Sequence, residues 1–457
     1  MYKKYKNKKI AILGLGLEGK SLVKTMLAEG AEVWAHDIKE KKDLELTDID
    51  EKKINLILGK KWLSKINKYF TIFRSPGVYR YKPKIRQAEK QGVIISSAIK
   101  LFFERFPGKI IGVTGTKGKG TTSTLIYKIL KKSGYDIHLA GNIGKPYLDL
   151  INKSDKNTWV ILEMSSFQLI DMTKSPHIAV VLNITSDHLD WHKNIEEYIN
   201  AKKNIVLHQK SNDFVVSNSE YRISKDFAKL TKAKRYFFSK KKITNKGCYI
   251  HNGKIILNIS KPIIIGKVDK LLLRGRHNWE NITAAVCASS LAGAHIKNIR
   301  KVVYSFKGLE HRLELVGKIK DISFYNDSFS TNTQTVKAAV SSFTEPITLI
   351  LGGFDKGLNY ASLSKFLTKK KNIKNILLIG DIENKLFYEL KKSKFLGKIF
   401  KMGKTSMKNI VKKSLEESKA GYVVLLSPGS SSFDMFKNYK DRGNKFKKAF
   451  YQLKVQN

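Results

Sequence analysis

The sequence predicts an α/β protein of three domains, each built on a mostly parallel sheet. Short apolar runs alternate with stretches of helical period along the 457 residues, and glycine-rich loops follow two of the runs, at 14–19 and 115–120. Polar clusters follow several others. Such alternation is typical of parallel strands joined by crossover helices. We expect the domains to cover residues 1–98, 99–308 and 309–457.

Composition narrows the class of protein. Lys and Arg number 86 against 39 Asp and Glu, giving a formal net charge of +47, but the lysines are spread along the whole chain. Two cysteines, Cys248 and Cys287, argue against a disulfide framework or a cysteine-based zinc site. No apolar run reaches the ~18–20 residues that span a bilayer. We expect a cytoplasmic monomer without membrane or specific nucleic-acid partners. A nucleic-acid-stimulated ATPase stays the alternative that the charge suggests.

The first domain begins with a predicted strand, Ile10–Leu13, followed by the loop Gly14-Leu15-Gly16-Leu17-Glu18-Gly19 and an apolar-periodic helix. A second strand, Glu32–Ala35, ends at Asp37, 18 residues after the last glycine. This is the G-x-G-x-x-G pattern of Rossmann-like dinucleotide sites, and alone it does not distinguish NAD from another nucleotide diphosphate. The turn Ser75-Pro76-Gly77 follows another apolar run, at the sheet edge where ligands bind.

The second domain opens on a candidate phosphate loop. The apolar run Ile110–Val113 leads into Thr114-Gly115-Thr116-Lys117-Gly118-Lys119, and a helix is predicted from about Gly120. Strand, loop and helix start in this order aim backbone N–H groups at phosphate oxygens. The Walker pattern is not met, because Val113 holds its first glycine position and the hydroxyl comes one place late, at Thr121. We interpret the loop as a variant triphosphate-binding loop.

Acidic and histidine side chains follow the next two predicted strands. Trp159–Leu162 ends at Glu163, and Ile178–Leu182 is followed by Asp187 and His188. Parallel strands place these ends at one sheet edge, beside the loop, where Mg²⁺ with few protein ligands plus phosphates would fit. Each residue taken singly could instead be a strand-end cap or turn. The helix predicted over 196–203 shows only a solvated lysine face.

The remaining chain adds an amide pair and a third sheet. Asn278 and Asn281 precede or begin a helix predicted over Ile282–Leu291, where their amides could both reach one ligand or Asn278 could cap the helix. The third domain alternates predicted strands with helices such as Ser406–Glu417. Its strands, several of which end in polar clusters, are a pair ending near Phe324–Ser328, then Ile347–Leu351, Ile376–Ile379 and Tyr422–Leu426.

Many short motifs in order resemble the Mur ligases, the ATP-dependent amide-forming enzymes of peptidoglycan precursor synthesis. They run from GLGLEGKS and SPGV through GVTGTKGKGTT, GNIG, LEMSSFQL, NITSDHLD, GRHNWEN, EHRLE, YNDS and GGFDKG to SPGSSSFDMFKNYKDRGNKF. The last stretch is similar to members that add D-glutamate to UDP-N-acetylmuramoyl-L-alanine, and the Asp-Asn-Pro-Arg run of the diamino-acid-adding members is absent. Folylpolyglutamate synthases share the Lys119-Gly120-Thr121 form but lack such a GLGLEG domain.

The resemblance implies a Rossmann-like UDP-binding domain, a central P-loop ATPase-like domain and a Rossmann-like C-terminal domain. Lys119, His188 and Lys202 would be catalytic, with Lys202 carbamylated. Two Mg²⁺ ions are implied, one held by Thr121 and Glu163 and the other by His188 and the Lys202 carbamate. The implied ATP-contacting residues are Gly115, Thr116, Lys117, Gly118, Lys119, Gly120, Thr121, Asn281, Arg312 and Asp327.

The resemblance also implies two substrate pockets. Positions that match the UDP-substrate site are Leu17, Glu18, Asp37, Ser75, Gly77, Asn142, Ser165 and Gln168. Those that match the pocket of the incoming amino acid are Thr331, Lys356, Ser432, Phe433 and Tyr439. Two residues depart from the family pattern: Gly120 replaces the hydroxyl after the loop lysine, and Phe329 stands where many members carry Lys.

The implied reaction activates a carboxylate and then aminolyses it. The L-alanyl carboxylate would attack the γ-phosphorus of ATP to give an acyl phosphate, and the amine of D-glutamate would displace phosphate. A related ligase with another acceptor amino acid, or a folylpolyglutamate-type ligase, remains open as an alternative at this point.

Overall fold

The structure, a computed structural model, describes residues 4–142 and 146–456. Its first sheet is fully parallel and has the order β3-β2-β1-β4-β5. The strands are β1 (Lys9–Leu13), β2 (Glu32–Asp37), β3 (Ile54–Leu58), β4 (Thr71–Arg74) and β5 (Ile94–Ser97), with helices α1 (Leu17–Ala28), α2 (Pro83–Lys90) and α3 (Ala98–Arg105). This is the predicted doubly wound arrangement, in which the strand order reverses beside β1.

Gly19 is the point of closest approach between α1 and the glycine-rich loop. A Cβ added there would lie 1.9 Å from the carbonyl oxygen of Gly14, whereas a Cβ added at Gly16 would meet nothing within 4 Å. The third glycine of the motif is therefore required by packing of helix on strand, and the second leaves open space in front of the loop.

Replacing Gly19 with Ala is expected to destabilise the protein by about 1–3 kcal/mol, because the methyl group forces the backbone of the loop apart. Gly16→Ala is the matched control, with an expected loss below about 1 kcal/mol. Thermal unfolding of both variants measures the difference. Equal melting temperatures for the two would contradict this account of the motif.

The second sheet has the order β14-β13-β12-β11-β10-β9-β6-β8-β7. From β7 to β12 the strands pair in parallel, and β12 and β13 form an antiparallel hairpin. Its strands are β6 (Lys109–Thr114), β7 (Ile137–Gly141), β8 (Trp159–Glu163), β9 (Ile178–Val181), β10 (Phe214–Asn218), β11 (Lys234–Ser239), β12 (Gly247–His251), β13 (Lys254–Asn258) and β14 (Pro262–Lys267). The accompanying helices are α4 (Lys119–Lys132), α5 (Ser166–Leu169), α6 (Ile195–Leu207), α7 (Arg222–Phe227), α8 (Arg276–Leu291) and α9 (Ile296–Ser305).

The third sheet has the order β15-β16-β20-β17-β18-β19 and is parallel apart from the β15–β16 hairpin. The strands are β15 (Glu314–Ile319), β16 (Ile322–Asn326), β17 (Ile347–Gly352), β18 (Ile373–Ile379), β19 (Lys398–Gly403) and β20 (Val423–Leu426). The helices are α10 (Thr333–Val340), α11 (Ala361–Thr368), α12 (Glu383–Lys392), α13 (Met407–Glu416) and α14 (Tyr439–Gln456).

The predicted fold class is confirmed, with one element boundary corrected. Helix α8 begins at Arg276, six residues before the predicted start, because Gly275 turns the chain at φ +94° and the polar run His277–Glu280 is already helical. Asn278 is therefore not the helix cap. Its amide instead donates to the carbonyl oxygen of Arg274 at 2.6 Å.

The chain divides into two compact units, each described here by itself. One comprises residues 1–266 and 280–302, and the other comprises residues 267–279 and 303–457. The first unit contains two sheets joined by one continuous apolar core that extends from Tyr5 to Ala228. Among the residues described, no helix combines the length and apolarity needed to cross a bilayer. The domain boundaries at 98 and 308 stay predictions.

Candidate active site

The loop between β6 and α4 requires glycine at position 118 and leads into a helix whose first turn has no side-chain cap. Gly118 has φ +87°, and a Cβ there would lie 2.2 Å from Oδ1 of Asn281, so that only glycine fits. Helix α4 then starts at Lys119 without a side-chain cap on its first turn. An uncapped helix N-terminus after a tight glycine turn presents its amide groups and positive dipole end to an anion.

Two lysines converge on one carbonyl oxygen of this loop. The Gly115 oxygen accepts hydrogen bonds from Nζ of Lys119 at 2.9 Å and from Nζ of Lys202 at 3.3 Å. Lys202 also donates to Oγ1 of Thr114 at 3.2 Å, and only 2% of the residue is exposed. Burial, and then the neighbouring Lys119, hold the pKa of Lys202 well below its ordinary range. This environment therefore favours the neutral form of the Lys202 amine more than water does.

Tyr198 is a site residue that the sequence analysis missed. Its hydroxyl lies 2.9 Å from Oγ1 of Thr116, and Nζ of Lys202 lies 4.9 Å from the centroid of its ring. The signal was available, since Tyr198 precedes Lys202 by four residues on α6 and so lies on the same helix face. Tyr198 thus connects the loop to the helix that carries Lys202.

Glu163 ends β8 beside the loop, as predicted. In the ladder it pairs with Val113 of β6 on one side and with Gly141 of β7 on the other. Its charge, together with that of Asp187, raises the pKa of Lys202 and so opposes the effect of Lys119. The predicted acid therefore lies within electrostatic reach of the buried lysine at the carboxyl edge of the sheet.

His188 lies in the segment between β9 and α6. Its backbone has φ +53°, an uncommon value for a residue other than glycine. Its Nε2 is 3.6 Å from Oδ2 of Asp187, and its ring is 4.8 Å from that of Phe167. The side chain is 46% exposed, which leaves it accessible to a ligand.

The unmodified side chains at this edge offer few ligands to Mg²⁺. Among residues 4–142 and 146–456, no three His, Cys, Asp or Glu side chains converge to hold a metal ion. Mg²⁺ favours oxygen ligands, with carboxylates first. Since Mg²⁺ usually takes one or two carboxylates and completes its coordination with phosphates and water, the residues fit the metal, and a carboxylate added to the amine of Lys202 would supply further oxygen donors.

The carboxyl edge of the first sheet holds most of the predicted UDP-substrate residues. Asp37 accepts the backbone N–H of Leu15 at 2.7 Å, and Ser75 donates its hydroxyl to the carbonyl oxygen of Gly14 at 2.7 Å. Both side chains therefore hold the glycine-rich loop in place. Leu17 is 81% exposed at the start of α1. Asn142 donates its backbone N–H to the carbonyl oxygen of Glu163, while Ile143 and Gly144 of the same motif lie outside the described residues.

Glu18 connects the two sheets of the first unit. Its Oε1 accepts a hydrogen bond from Nε2 of Gln168 at 2.6 Å. Gln168 in turn forms a capping box with Ser165, in which each side chain bonds the other's backbone N–H at the start of α5. Burial raises the pKa of Glu18. Three predicted substrate residues from two sheets therefore form one polar cluster.

A buried ion network lies behind that cluster. Arg74 is fully buried at the end of β4 and donates from Nη2 to the Phe167 carbonyl at 3.0 Å and to Oδ1 of Asp171 at 3.3 Å. Nε of Arg80 donates to the other Asp171 oxygen at 3.0 Å. One carboxylate after α5 therefore pairs with two guanidinium groups from the first sheet. No feature of the sequence pattern indicated this network.

The second unit contains Asp327 and Arg312, two of the residues for which the resemblance implies a contact with ATP. Asp327 accepts the Ser427 hydroxyl at 2.9 Å and the Leu313 backbone N–H at 3.2 Å. Burial raises the pKa of the Asp327 carboxyl to about 7, against the opposing effect of these hydrogen bonds and of Arg312. The Arg312 guanidinium lies 3.9 Å from the ring centroid of Phe329. Phe329 therefore packs against the arginine instead of presenting a cation.

The pKa of Asp327 predicts a pH-dependent stability. Because the pKa of Asp327 is higher in the folded state, protonation of this carboxyl stabilises the fold. That stabilisation is fully present below the pKa of the unfolded state, about 3.9, and is lost as pH rises through about 7. Between pH 5 and pH 8 the wild type should lose about 3 kcal/mol relative to Asp327→Asn, which has no such carboxyl. Urea unfolding of both proteins at the two pH values measures this. Parallel changes in the two proteins would contradict the raised pKa.

The residues predicted to bind the amino acid follow β16, β17 and β20, which are neighbours in the third sheet. The Tyr439 ring contacts Phe329 at 5.0 Å between centroids, Ser432 is buried, and Phe433 is 68% exposed. Lys356 is exposed after β17, and Thr331 is half-buried after β16. Four of the residues therefore belong to loops that follow strands of this sheet, and Tyr439 begins helix α14.

Arg442 organises these loops and was not predicted. Its guanidinium is fully buried and donates to the carbonyl oxygens of Ser328, Ser430 and Ser431 at 2.9, 3.0 and 3.3 Å. Burial lowers its pKa to about 10. Arg442 lies within the last sequence motif, but nothing in the spacing of that motif showed that its buried guanidinium hydrogen-bonds to two loops.

Comparison with known proteins shows the family and agrees with the observed fold. The Mur ligase middle domain matches residues 113–289, and the MurD-like N-terminal domain of Mur ligases matches residues 8–97. Among solved structures, a UDP-N-acetylmuramate–alanine ligase from Thermotoga maritima has a TM-score of 0.56 at 16% identity and covers 98% of this chain and 100% of that one. The MurF ligase of the same organism, in complex with ADP, has a TM-score of 0.55 at 17% identity, with coverages of 99% and 96%. These two likenesses concern the fold.

The chain belongs to the Mur ligase family. Its similarity is high along its whole length to two proteins named UDP-N-acetylmuramoylalanine–D-glutamate ligase. The one from Acetivibrio thermocellus is 38% identical and covers 99% of this chain and 98% of its own. The one from Clostridium tetani is 36% identical, with coverages of 98% and 97%.

Proposed function

We propose that the chain joins D-glutamate to UDP-N-acetylmuramoyl-L-alanine in an ATP-dependent step of peptidoglycan precursor synthesis, in the cytoplasm. The observation that carries the ligase chemistry is the pair of lysines, Lys119 and Lys202, on the Gly115 carbonyl beside Glu163. The names of the full-length relatives support the choice of substrates. The lysine pair and the substrates named for the relatives are consistent with each other, because activation of a carboxylate by ATP needs concentrated positive charge at the sheet edge.

Each residue of the edge has a distinct task in this proposal. The loop amides and Lys119 hold the β- and γ-phosphates of ATP at the N-terminus of α4. Thr121 and Glu163 would hold one Mg²⁺, and His188 with carbamylated Lys202 would hold a second. Bound Mg²⁺ would neutralise phosphate charge as it develops. Gly120 has no hydroxyl to offer the metal, so the hydroxyl of the next residue, Thr121, would take that role.

Carbamylation resolves the conflict between the two lysines. Two protonated amines sharing one carbonyl oxygen would repel each other, whereas a neutral Lys202 amine can attack CO₂. A nitrogen–carbon bond forms, one proton leaves, and the lysine ends in a carboxylate. Negative charge then faces Lys119, and an oxygen donor faces the metal position. The burial of Lys202 and its lowered pKa support this step.

The reaction itself is a displacement at phosphorus followed by one at carbon. The L-alanyl carboxylate oxygen bonds to the γ-phosphorus as the bond to ADP breaks, and the amine nitrogen of D-glutamate then bonds to the acyl carbon as phosphate leaves. Asn142, Ser165 and Gln168 orient the muramoyl substrate in this proposal. His188 or a neighbouring carboxylate accepts the amine proton. Asn281, Arg312 and Asp327 contact the nucleotide.

Because of Phe329, the identity of the acceptor amino acid is the part of the proposal that most needs a test. The pocket proposed for D-glutamate includes Thr331, Lys356, Ser432, Phe433 and Tyr439, and Phe329 gives it no cation of its own. ADP release should be measured with UDP-N-acetylmuramoyl-L-alanine and a panel of D- and L-amino acids. We expect turnover with D-glutamate alone of the panel and no stimulation by DNA or RNA. Turnover with another amino acid would revise the acceptor, and turnover with a folate in place of the UDP substrate would overturn the proposal.

A further inference from the structure

His192 is a buried polar group that the proposed chemistry does not use. It lies between β9 and α6, four residues after His188, and only 2% of it is exposed. Its Nε2 lies 2.8 Å from Oγ of Ser166, and its Nδ1 lies 3.3 Å from Oε2 of Glu197. The hydrogen bond of the ring is the one between Nε2 and the serine hydroxyl, whereas Nδ1 faces the Glu197 carboxylate at a distance that allows electrostatic attraction without hydrogen-bond geometry.

The two partners belong to the two helices that carry proposed site residues. Ser166 is the first residue of α5, between Ser165 and Gln168 of the capping box. Glu197 lies in the first turn of α6, the helix that carries Lys202. Through one imidazole, α5 and α6 are therefore joined at their N-terminal ends.

The backbone of His192 also helps to hold the backbone of His188. The His188 carbonyl oxygen accepts the N–H groups of Trp191 and His192 at 3.1 and 3.0 Å, which closes a tight turn around its positive φ. The Phe167 ring stacks on the His192 ring with centroids 5.7 Å apart. It also contacts the His188 ring, at 4.8 Å between centroids. A left-handed residue persists only where its surroundings determine it, and these contacts do so.

Glu197 extends the connection to the first sheet. Its Oε1 accepts the hydroxyl of Tyr79 at 2.7 Å, and the Tyr79 ring packs edge-on against that of Trp191 with centroids 5.2 Å apart. Tyr79 follows directly on the turn that contains Ser75 and Gly77. The glycine-rich edge of the first sheet and the segment of His188 are therefore held by one carboxylate.

We propose that His192 is a positioning residue that holds His188 and Lys202 in their working geometry and, through Glu197 and Tyr79, couples them to the UDP-substrate turn. The inference rests on the proposed function, since the tasks of His188 and Lys202 are taken from it. Residues that orient metal ligands in this way typically change metal affinity or activity ~10–100-fold when replaced.

The test compares His192→Phe with His192→Gln. Phenylalanine keeps the flat ring beside Phe167 but removes both polar contacts, whereas glutamine can retain one. For His192→Phe we expect the half-activating Mg²⁺ concentration to rise ~10-fold or more and kcat to fall, with the KM for ATP nearly unchanged. His192→Gln should recover part of the loss. A lower melting temperature with an unchanged Mg²⁺ activation curve would reduce His192 to a packing residue and overturn the inference.

Two further measurements do not depend on turnover. Hydrogen exchange of residues 188–207 should accelerate in His192→Phe, and carbamate occupancy of Lys202 by mass spectrometry under non-denaturing conditions should fall. Unchanged exchange and occupancy would count against the proposal.

Tyr79→Phe, which removes only the hydroxyl, should raise the KM for the UDP substrate severalfold, and an unchanged KM would refute the coupling to the first sheet. A wild type that turns over no UDP substrate would instead refute the proposed function.

Discussion

Replacing Lys119 with Ala is expected to lower the rate of ligation by ~10²–10³ or more, because the charge that faces the transferred phosphoryl group is lost. Binding of UDP-N-acetylmuramoyl-L-alanine should remain within about twofold of the wild type. Its proposed contacts, including Asp37 and Ser75, hold the loop of the first sheet and do not touch Lys119. Calorimetry of substrate binding and a coupled assay of ADP release measure the two effects separately.

Lys132→Ala is the matched control for this experiment. Lys132 is exposed at the far end of α4, the same helix that Lys119 begins, and its removal should change neither quantity. If Lys119→Ala weakens UDP-substrate binding as much as it slows ligation, the division of tasks between the two sheets is wrong.

Replacing Lys202 with Ala is expected to lower the rate by a similar factor, ~10²–10³, and short-chain carboxylates should restore part of the activity. Formate or acetate can enter the space of the deleted side chain and supply the carboxylate that the carbamate otherwise provides. The wild type should carry a mass increase equal to one CO₂, measured under non-denaturing conditions, and should lose activity reversibly when CO₂ is removed.

Lys203→Ala controls for the neighbouring lysine. Its amine donates to Oδ1 of Asn200 at 2.7 Å on the exposed face of α6 and does not reach the loop. We expect normal activity and no response to carboxylates. Absence of rescue in Lys202→Ala at every carboxylate concentration, combined with an unmodified wild-type mass, would refute the carbamate.

The sequence was most informative where a residue's position follows from local chain geometry. Glu163 could be placed beside the phosphate loop because both follow neighbouring parallel strands. Lys202 was implied by the family resemblance alone: its helix pattern predicted a solvated lysine face, and this was wrong for Lys202, which is buried. Gly118 was predicted within a phosphate loop, but its collision with Asn281 depends on how α8 lies against α4, which no local pattern encodes.

Contacts between distant parts of the chain were beyond the same reasoning. The bond from Gln168 to Glu18 joins residues 150 positions apart, and that from Arg74 to Asp171 joins residues 97 apart. Each depends on the relative placement of two sheets, which is set by the fit of the apolar core. Likewise, the family pattern identified Phe329 as a departure but could not show that its ring lies under the Arg312 guanidinium.

The shared Asp171 carboxylate has a consequence for how this enzyme can change. Removing one partner of a buried ion pair typically costs about 3–5 kcal/mol, and here a single substitution at Asp171 would strand two guanidinium groups, one of them fully buried. A first sheet exchanged for one without Arg74 and Arg80 would leave the Asp171 carboxylate without both partners. The two sheets of the first unit are therefore best engineered as one piece.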